Sequence, residues 1–246
     1  MQGDDIVLGF KVGEKAFAYP RHILNWHEII NDKINGQAFV ITHCPLCGSG
    51  MAFSSTIGED FLSFRVSGLL YNNDLLFYDE QTNSLWSQIE RRAISGDFAG
   101  TKLQQLFVEH PSWDAWRTQY PESLVLSEKQ GFKRNYRHDP YTGYDTSSQV
   151  FFKTLRQAPS DFHTKEKVLG ITVGDAAKAY LFSELSKHGL HSFEDELGGV
   201  KYRVLWNFDA QSANVKSLTD EVLTPTVAFW FAWYNFYLQT DVFKAE

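Results

Sequence analysis

The chain has 246 residues, which is enough for one large domain or two small ones that fold without support from disulfides or metals. A hydrophobic fraction of 43%, with 15% aromatic residues, excludes an intrinsically disordered chain. The 23 basic and 30 acidic residues give a formal net charge of −7, which argues against a general nucleic-acid-binding protein.

The first predicted elements are a hairpin, a helix and a second hairpin. Residues 7–19, VLGFKVGEKAFAY, have two β-rich arms around a turn at Gly13 and Glu14. The next segment, RHILNWHEII, has apolar residues at helical spacing. The dipeptide of Asn35 and Gly36 then predicts a hairpin turn ahead of an alternating strand.

Between residues 55 and 162 the sequence predicts more strands, one helix and a long loop. The segments DFLSFRVSG and DLLFYDEQTNSLWSQI are predicted strands, with turns at Ser67 and Gly68 and at Asn72 and Asn73. A short helix in SWDAWRTQY is predicted to begin after a Ser112 N-cap. Residues 131–159 are polar and turn-rich, which predicts a surface loop.

The C-terminal half repeats the opening series of elements. Residues 168–180, VLGITVGDAAKAY, match residues 7–19 at eight of thirteen positions. A helical segment closed by Gly189 and a hairpin turn at Gly198 and Gly199 follow. We therefore predict an α+β fold, mainly antiparallel β with short helices, built by internal duplication of a hairpin-helix-hairpin unit.

These elements predict a single globular domain made of two related subdomains, about 5–127 and 163–246, joined by a loop-rich segment 128–162 with a possible cleft between the subdomains. The apolar stretch at residues 226–238 is shorter than the ~20 residues of a bilayer span, so it is predicted to be buried core. No signal peptide opens the sequence. A soluble protein is therefore expected, cytoplasmic by the chain as given and extracytoplasmic if a leader has been removed.

Both cysteines of the chain lie in the segment ITHCPLCGSGMAF, residues 41–53. In the repeated unit, the corresponding strand runs into Trp206 and Asn207 instead, so the scaffold does not require thiols. The proline after Cys44 and the glycine after Cys47 favour a turn whose amide N–H groups point at a sulfur, which stabilises a thiolate.

Three interpretations of the cysteine pair stay open. In the first, Cys44 is a nucleophile, Cys47 is the resolving thiol, and His43 or His138 is the proton partner of a redox reaction. In the second, Cys44 and Cys47 bind a transition metal ion, with histidines completing the ligand set; the candidates are His27, His43 and His138, with His22 behind them. In the third, the pair is a static disulfide or two buried side chains without a chemical role.

The first predicted function is therefore a thiol-dependent oxidoreductase that acts on a small molecule or a thiol substrate. A metal-binding protein holding zinc, iron or copper is the alternative. A ligand-binding module without catalysis, using a cleft between the two units, is the second alternative. No nucleic-acid partner and no membrane span are expected, and the sequence leaves the substrate and the oligomeric state open.

Several long segments resemble those of a known protein family, among them AYPRHILNWHEIIND, THCPLCGSGMAF and SWDAWRTQYPESLVLS. Over nearly its whole length the chain resembles a large prokaryotic family, a domain of unknown function with a CPLCGS-type signature. The resemblance implies a single globular module that is often exported by a leader. It also implies that some members keep only the first cysteine, which favours Cys44 as the essential sulfur.

Overall fold

The computed structural model describes residues 1–245, and in this part of the chain the fold is mainly antiparallel β with four short helices. The strands form five sheets of three or four strands, arranged as a five-bladed β-propeller-like ring, and one two-stranded ribbon. The prediction of a mainly antiparallel β protein with short helices is confirmed. The ring is a new finding, because strand patterns along a sequence do not specify how separate sheets close on one another.

The first two sheets come from the N-terminal half. The first contains β1 (Val7–Val12), β2 (Lys15–Pro20), β13 (Val108–Glu109) and β14 (Leu124–Val125). The second contains β3 (Ile29–Ile34), β4 (Gln37–Cys44), β5 (Ser49–Ser54) and β12 (Gln105–Leu106). Their strand orders are β13-β1-β2-β14 and β12-β5-β4-β3, and β14 pairs with β2 in parallel.

The third sheet is a meander that follows the second sheet. It contains β8 (Phe64–Tyr71), β9 (Asp74–Asp79), β10 (Leu85–Ser87) and β11 (Arg92–Ser95), and the ribbon before it pairs β6 (Thr56–Ile57) with β7 (Asp60–Phe61). The predicted turn at Asn72 and Asn73 is confirmed, since both residues have positive φ. The predicted turn at Ser67 and Gly68 is wrong. Both residues lie inside β8, where a β-bulge shifts the register with β9.

The fourth and fifth sheets come from the C-terminal half. The fourth contains β15 (Lys167–Val173), β16 (Ala176–Leu181), β20 (Thr226–Phe229) and β21 (Asp241–Val242). The fifth contains β17 (Ser192–Leu197), β18 (Val200–Asn207) and β19 (Ser212–Ser217). The fourth sheet has the same topology as the first: a central hairpin has an antiparallel strand on one side and a short parallel strand on the other.

The four helices within residues 1–245 each have seven residues. They are α1 (Arg21–His27), α2 (Trp113–Gln119), α3 (Phe182–His188) and α4 (Trp230–Phe236). The predicted N-cap of α2 is confirmed, because the Ser112 hydroxyl accepts a hydrogen bond from the Ala115 amide. α1 ends earlier than predicted, since Glu28 has φ 58° and the chain then enters β3. None of these helices has the length and apolar content needed to span a bilayer.

Matching helices pack on matching strands of the first and fourth sheets. Trp116 of α2 lies directly over Gly9 of β1, and Trp233 of α4 lies directly over Gly170 of β15. A side chain at either glycine would collide with the indole ring, so the two units share this close approach. The division into subdomains of about 5–127 and 163–246 stays a prediction.

The segment between the two halves contains no helix or strand in the described chain from residue 126 to residue 166. Part of this segment is nevertheless held in place by hydrogen bonds from Lys165, which is 3% exposed. Its amine donates hydrogen bonds to the carbonyl oxygens of Tyr144, Ser147 and Gln149 at 2.6, 2.5 and 2.5 Å. A buried ammonium with three carbonyl acceptors therefore fixes the end of the long loop.

Candidate functional site

The two cysteines lie in a tight turn that connects β4 to β5. Cys44 is the last residue of β4 and pairs with Ser49, the first residue of β5. The two sulfur atoms are at disulfide distance. The Cys47 amide N–H donates to the Cys44 sulfur at 3.3 Å. The turn therefore directs a backbone amide at a sulfur, and such a contact stabilises negative charge on that sulfur.

This turn is held against the fourth sheet. The Cys47 carbonyl oxygen accepts a hydrogen bond from the Phe229 amide at 2.7 Å. Gly48 has φ +64°, and a Cβ atom at Gly48 would lie 2.7 Å from the Phe229 ring. The positive φ and the nearby Phe229 ring both favour glycine at position 48, because any other residue would strain the backbone and displace the aromatic ring.

Both cysteines are buried. Cys44 is 2% exposed and Cys47 is 0% exposed. Both belong to a buried apolar cluster that also contains Phe53, Phe77 and Trp86. The surroundings are not uniformly apolar, however, because a carboxyl group lies among these side chains.

Asp74, the first residue of β9, places that carboxyl group beside the cysteines. Its Oδ1 atom lies 3.6 Å from the Cys47 sulfur. Its Oδ2 atom accepts hydrogen bonds from the Ile89 amide at 2.9 Å and the Ser87 hydroxyl at 3.1 Å. Burial raises the pKa of Asp74 to about 7, although these hydrogen bonds act in the opposite direction. A carboxyl group with this pKa can accept and release a proton near neutral pH.

Cys44, Cys47 and Asp74 also form a potential metal-binding group. Each residue offers one ligand atom, and the three atoms lie within 4.8 Å of one another. The Asn73 carbonyl oxygen is a fourth donor nearby, 3.2 Å from the Cys47 sulfur. Thiolates and a carboxylate are ligands that zinc accepts. The predicted ligand set contained histidines, whereas this group is completed by a carboxylate.

Three of the four candidate histidines, His22, His27 and His43, have side-chain partners other than the cysteines. His43, on β4 beside Cys44, has its Nδ1 atom 2.9 Å from the Ser49 carbonyl oxygen. The His27 Nε2 atom lies 2.6 Å from the Tyr136 hydroxyl, and the His22 Nε2 atom lies 3.3 Å from a Glu128 carboxylate oxygen.

His138 is exposed on the long loop, where its backbone carbonyl accepts a hydrogen bond from the Trp26 indole. Among the hydrogen bonds within residues 1–245, none joins a histidine to Cys44 or Cys47.

Residues that flank the cysteines line a cavity of about 90 Å³. Pro45 and Gly48 of the turn contribute to its wall, so the cavity lies next to the backbone that covers the sulfurs. The polar side chains that line it come from the N-terminal half (Arg21, Asn25, His43 and His110), from the long loop (Asp139, Tyr141, Tyr144 and Asp145) and from the C-terminal half (Lys167 and Gln211). The apolar side chains come from both halves: Ile6, Leu8, Phe182, Val227 and Phe229.

The two imidazoles of the cavity are neutral at pH 7. Burial lowers the pKa of His43 to about 3, and the nearby positive charge of Arg21 acts in the same direction. Burial lowers the pKa of His110 to about 4, with smaller contributions from Lys167 and Arg21. The positive charge of the cavity wall therefore belongs to Arg21 and Lys167.

A family model described as "Protein of unknown function (DUF3179)" matches residues 1–223. The chain belongs to this family. The resemblance inferred from the CPLCGS-type signature is thus confirmed over nearly the whole chain. No curated protein and no solved structure matches the chain significantly.

Sequence reasoning did not identify several residues of this site in the DUF3179 protein. Asp74, Arg21, His110 and Lys167 were not among the predicted site residues. One signal was available for Asp74, which is an acidic residue directly before the apolar run of β9. For the other three residues, no local pattern shows that separate strands and a helix bring them to one cavity.

Proposed function

We propose that this DUF3179 protein is a thiol-dependent oxidoreductase in which Cys44 and Cys47 are the redox pair and Asp74 transfers the proton. The observation that carries the proposal is the buried Asp74 carboxyl group 3.6 Å from the Cys47 sulfur. A purely structural disulfide has no need of a buried carboxyl group, whose burial is unfavourable unless it is compensated. A dithiol needs such a group, because a thiol must lose its proton before it attacks.

The proposed reaction is reduction of the protein disulfide by two molecules of a small thiol. A substrate thiolate attacks the Cys44 sulfur, the bond between the two protein sulfurs breaks, and Cys47 leaves as a thiolate. The Cys47 thiolate takes a proton from the Asp74 carboxylic acid. A second substrate thiolate attacks the substrate sulfur of the mixed disulfide, which releases a substrate disulfide and the Cys44 thiolate. Two electrons thereby pass from two thiols to the protein, and the steps run in reverse for oxidation.

The roles of the two sulfurs follow from their neighbours. The Cys47 amide donates to the Cys44 sulfur at 3.3 Å, so a thiolate at Cys44 is stabilised. Cys47 is the sulfur that contacts the carboxyl group. We therefore propose Cys44 as the sulfur that exchanges with substrate and Cys47 as the resolving thiol. Asp74 replaces His43 and His138 as the proposed proton partner, because the His43 imidazole contacts the Ser49 carbonyl and His138 is exposed on the long loop, whereas both cysteines are buried.

The substrate is proposed to be small. Cys44 is only 2% exposed, and the turn that covers it borders a cavity of about 90 Å³. A folded partner protein could not place a thiol there unless the turn opened. A small thiol or disulfide can enter the cavity and reach Cys44 with a smaller movement of the turn than a folded partner protein would need.

The matched variants Cys47→Ser and Cys44→Ser test this proposal. Each is incubated with the disulfide of 2-mercaptoethanol, and the mass of the intact protein is measured. We expect Cys47→Ser to gain one mixed disulfide at Cys44 in the folded state, at least tenfold faster than Cys44→Ser gains one at Cys47. Equal rates, or modification of either variant only after unfolding by circular dichroism, would contradict the proposed exchange.

Metal binding is the second candidate function, and the three ligand atoms within 4.8 Å of one another support it. In this alternative the sulfurs separate and bind the ion as thiolates together with Asp74. Elemental analysis of protein purified under reducing conditions tests it. A stoichiometric ion that is lost in both Cys44→Ser and Asp74→Asn favours the metal function. Metal-free protein with two titratable thiols contradicts it.

A further inference from the structure

We propose that the cavity beside the cysteine turn is a binding site for a small organic anion, whose acid group lies between Arg21 and Lys167. This site does not depend on the redox function, because it is argued from the charges and shape of the cavity alone. The ligand class is a short-chain carboxylate or a similar acid with one apolar end.

The two cations of the cavity form no ion pair within the described residues 1–245. Arg21 opens α1 and Lys167 opens β15, so separate halves of the chain bring the two cations to one cavity. Within residues 1–245, neither side chain takes part in an ion pair or a side-chain hydrogen bond. Burial lowers the pKa of Lys167 and the charge of Arg21 lowers it further, while the carboxylates of Asp145 and Glu166 act in the opposite direction. An anion between them would relieve this repulsion.

The acidic groups of the cavity wall, Asp139 and Asp145, form no ion pair with Arg21 or Lys167. The Asp139 carboxylate already accepts hydrogen bonds from the Asn25 side-chain amide and the Tyr141 backbone amide, both at 2.9 Å. Asp145 is exposed to solvent, whereas Arg21 and Lys167 are partly buried. Solvent screens the exposed carboxylate more than the partly buried cations, so the inner part of the cavity favours an anion.

Alignment of the two repeated units shows which cavity-lining residues occupy equivalent positions. The strand registers align Arg21 with Phe182, because Pro20 pairs with Val7 just as Leu181 pairs with Val168. His110, after β13, likewise occupies the place that Val227 has on β20.

One unit therefore contributes a cation and an imidazole where the other unit contributes two apolar side chains. All four of these side chains line the cavity, and Phe229 adds an aromatic ring to the apolar side. A ligand whose acid group lies between Arg21 and Lys167 and whose other end contacts Phe182, Val227 and Phe229 therefore has one charged end and one apolar end.

Isothermal titration with butyrate tests the proposal, and butyramide is the control ligand because it has the same shape without the charge. We expect butyrate to bind the full-length protein, butyramide to bind at least tenfold more weakly, and inorganic phosphate to bind more weakly than butyrate. Equal binding of butyrate and butyramide, or no binding of butyrate, would overturn the proposal. Phosphate binding as tight as butyrate binding would contradict the role of the apolar wall.

Variants locate the site. Arg21→Gln and Lys167→Gln should each weaken butyrate binding at least tenfold, whereas Lys216→Gln, at an exposed position on β19, should leave binding unchanged. Arg21→Lys keeps the charge and should bind more tightly than Arg21→Gln. If Arg21→Gln does not fold, Lys167→Gln and Arg21→Lys decide the result. Wild-type affinity in a folded Lys167→Gln variant would refute the site.

Discussion

The Asp74 carboxyl group lies 3.6 Å from the Cys47 sulfur, although the two residues belong to different sheets. Asp74 opens β9 of the third sheet, whereas Cys47 follows β4 of the second. The contact therefore depends on how the two blades pack. It joins a buried acid of raised pKa to the sulfur that must gain and lose a proton in the proposed reaction.

Asp74→Asn should slow reduction of the Cys44–Cys47 disulfide. The amide keeps the size of the side chain but cannot deliver a proton to the leaving Cys47 thiolate, so we expect an about hundredfold lower rate with dithiothreitol, at the lower end of the range for general acid catalysis. The wild-type rate per thiolate should fall as pH rises through about 7, because Asp74 then loses its proton. In Asp74→Asn the rate per thiolate should not fall over this pH range. Rates are measured by trapping free thiols at timed intervals.

Asp79→Asn is the matched control for that experiment. Asp79 lies at the other end of β9 and is also fully buried, but its carboxylate accepts hydrogen bonds from the Trp86 indole and the Thr82 hydroxyl. Asp79→Asn should leave the pH dependence of the reduction rate as it is in the wild type. If both variants alter the exchange rate equally, Asp74 has no specific role.

Gly48→Ala should destabilise the protein through the cysteine turn. The added Cβ atom would lie 2.7 Å from the Phe229 ring, and the backbone at φ +64° disfavours alanine. We expect a loss of about 2–5 kcal/mol, which combines a backbone cost of about 1–2 kcal/mol with an overpacking cost of about 1–3 kcal/mol.

Gly13→Ala separates the two costs, because Gly13 has φ +58° with nothing within 4 Å of an added Cβ atom. Urea denaturation measures both variants. An equal loss for the two would show that the contact with Phe229 contributes nothing.

His110 should make the unfolding free energy depend on pH. Its pKa is about 4 in the folded protein and near 6.5 in an unfolded chain, so the unfolded state binds more protons between these values. Stability from this group therefore rises with pH from about 4 to 6.5, at up to about 1.4 kcal/mol per pH unit. Asp74 has a raised pKa and acts in the opposite direction, so the wild-type curve alone does not isolate His110.

His110→Gln provides that isolation, because its side-chain amide can still donate to the Gly50 carbonyl that His110 Nε2 contacts. The difference in unfolding free energy between wild type and variant should increase over the same pH window. A difference that is flat from pH 4 to 6.5 would show that His110 is not held in its neutral form.

Lys165→Met should loosen the long loop. The substitution leaves the carbonyl oxygens of Tyr144, Ser147 and Gln149 without their donor, and we expect a loss of about 1–3 kcal/mol. Limited proteolysis should cut residues 131–159 faster in this variant than in Lys153→Met, which changes an exposed lysine of the same loop. Equal cleavage in the two variants would mean that Lys165 does not anchor the loop.

The sequence predicted local features of the fold well because they depend on neighbouring residues. The turn at Asn72 and Asn73 and the N-cap at Ser112 follow from backbone preferences and short hydrogen bonds. The turn at Ser67 and Gly68 failed because pairing with β9 turned the same residue types into a bulge. The closure of five sheets into a ring depends on contacts between blades, which no local pattern specifies.

In the candidate site, too, the sequence predicted the local features but not those that depend on packing between sheets. The turn around Cys44 and Cys47, with its amide directed at sulfur, follows from the proline and glycine of the motif. Asp74 lies 27 residues beyond Cys47 and reaches it only through the packing of two sheets. Sequence neighbours such as His43 were natural candidates for the proton partner, but adjacent residues of a strand point to opposite faces.

A redox titration of the native protein tests the central claim most directly. The full chain is equilibrated in buffers of graded ratios of reduced to oxidised dithiothreitol, free thiols are trapped with a maleimide, and the intact mass is measured beside a circular dichroism spectrum. The account predicts that Cys44 and Cys47 gain and lose two electrons together, reversibly and with the fold unchanged. A disulfide that is reduced only when the protein unfolds, or a pair of thiols that never forms a disulfide under oxidising conditions, would contradict it.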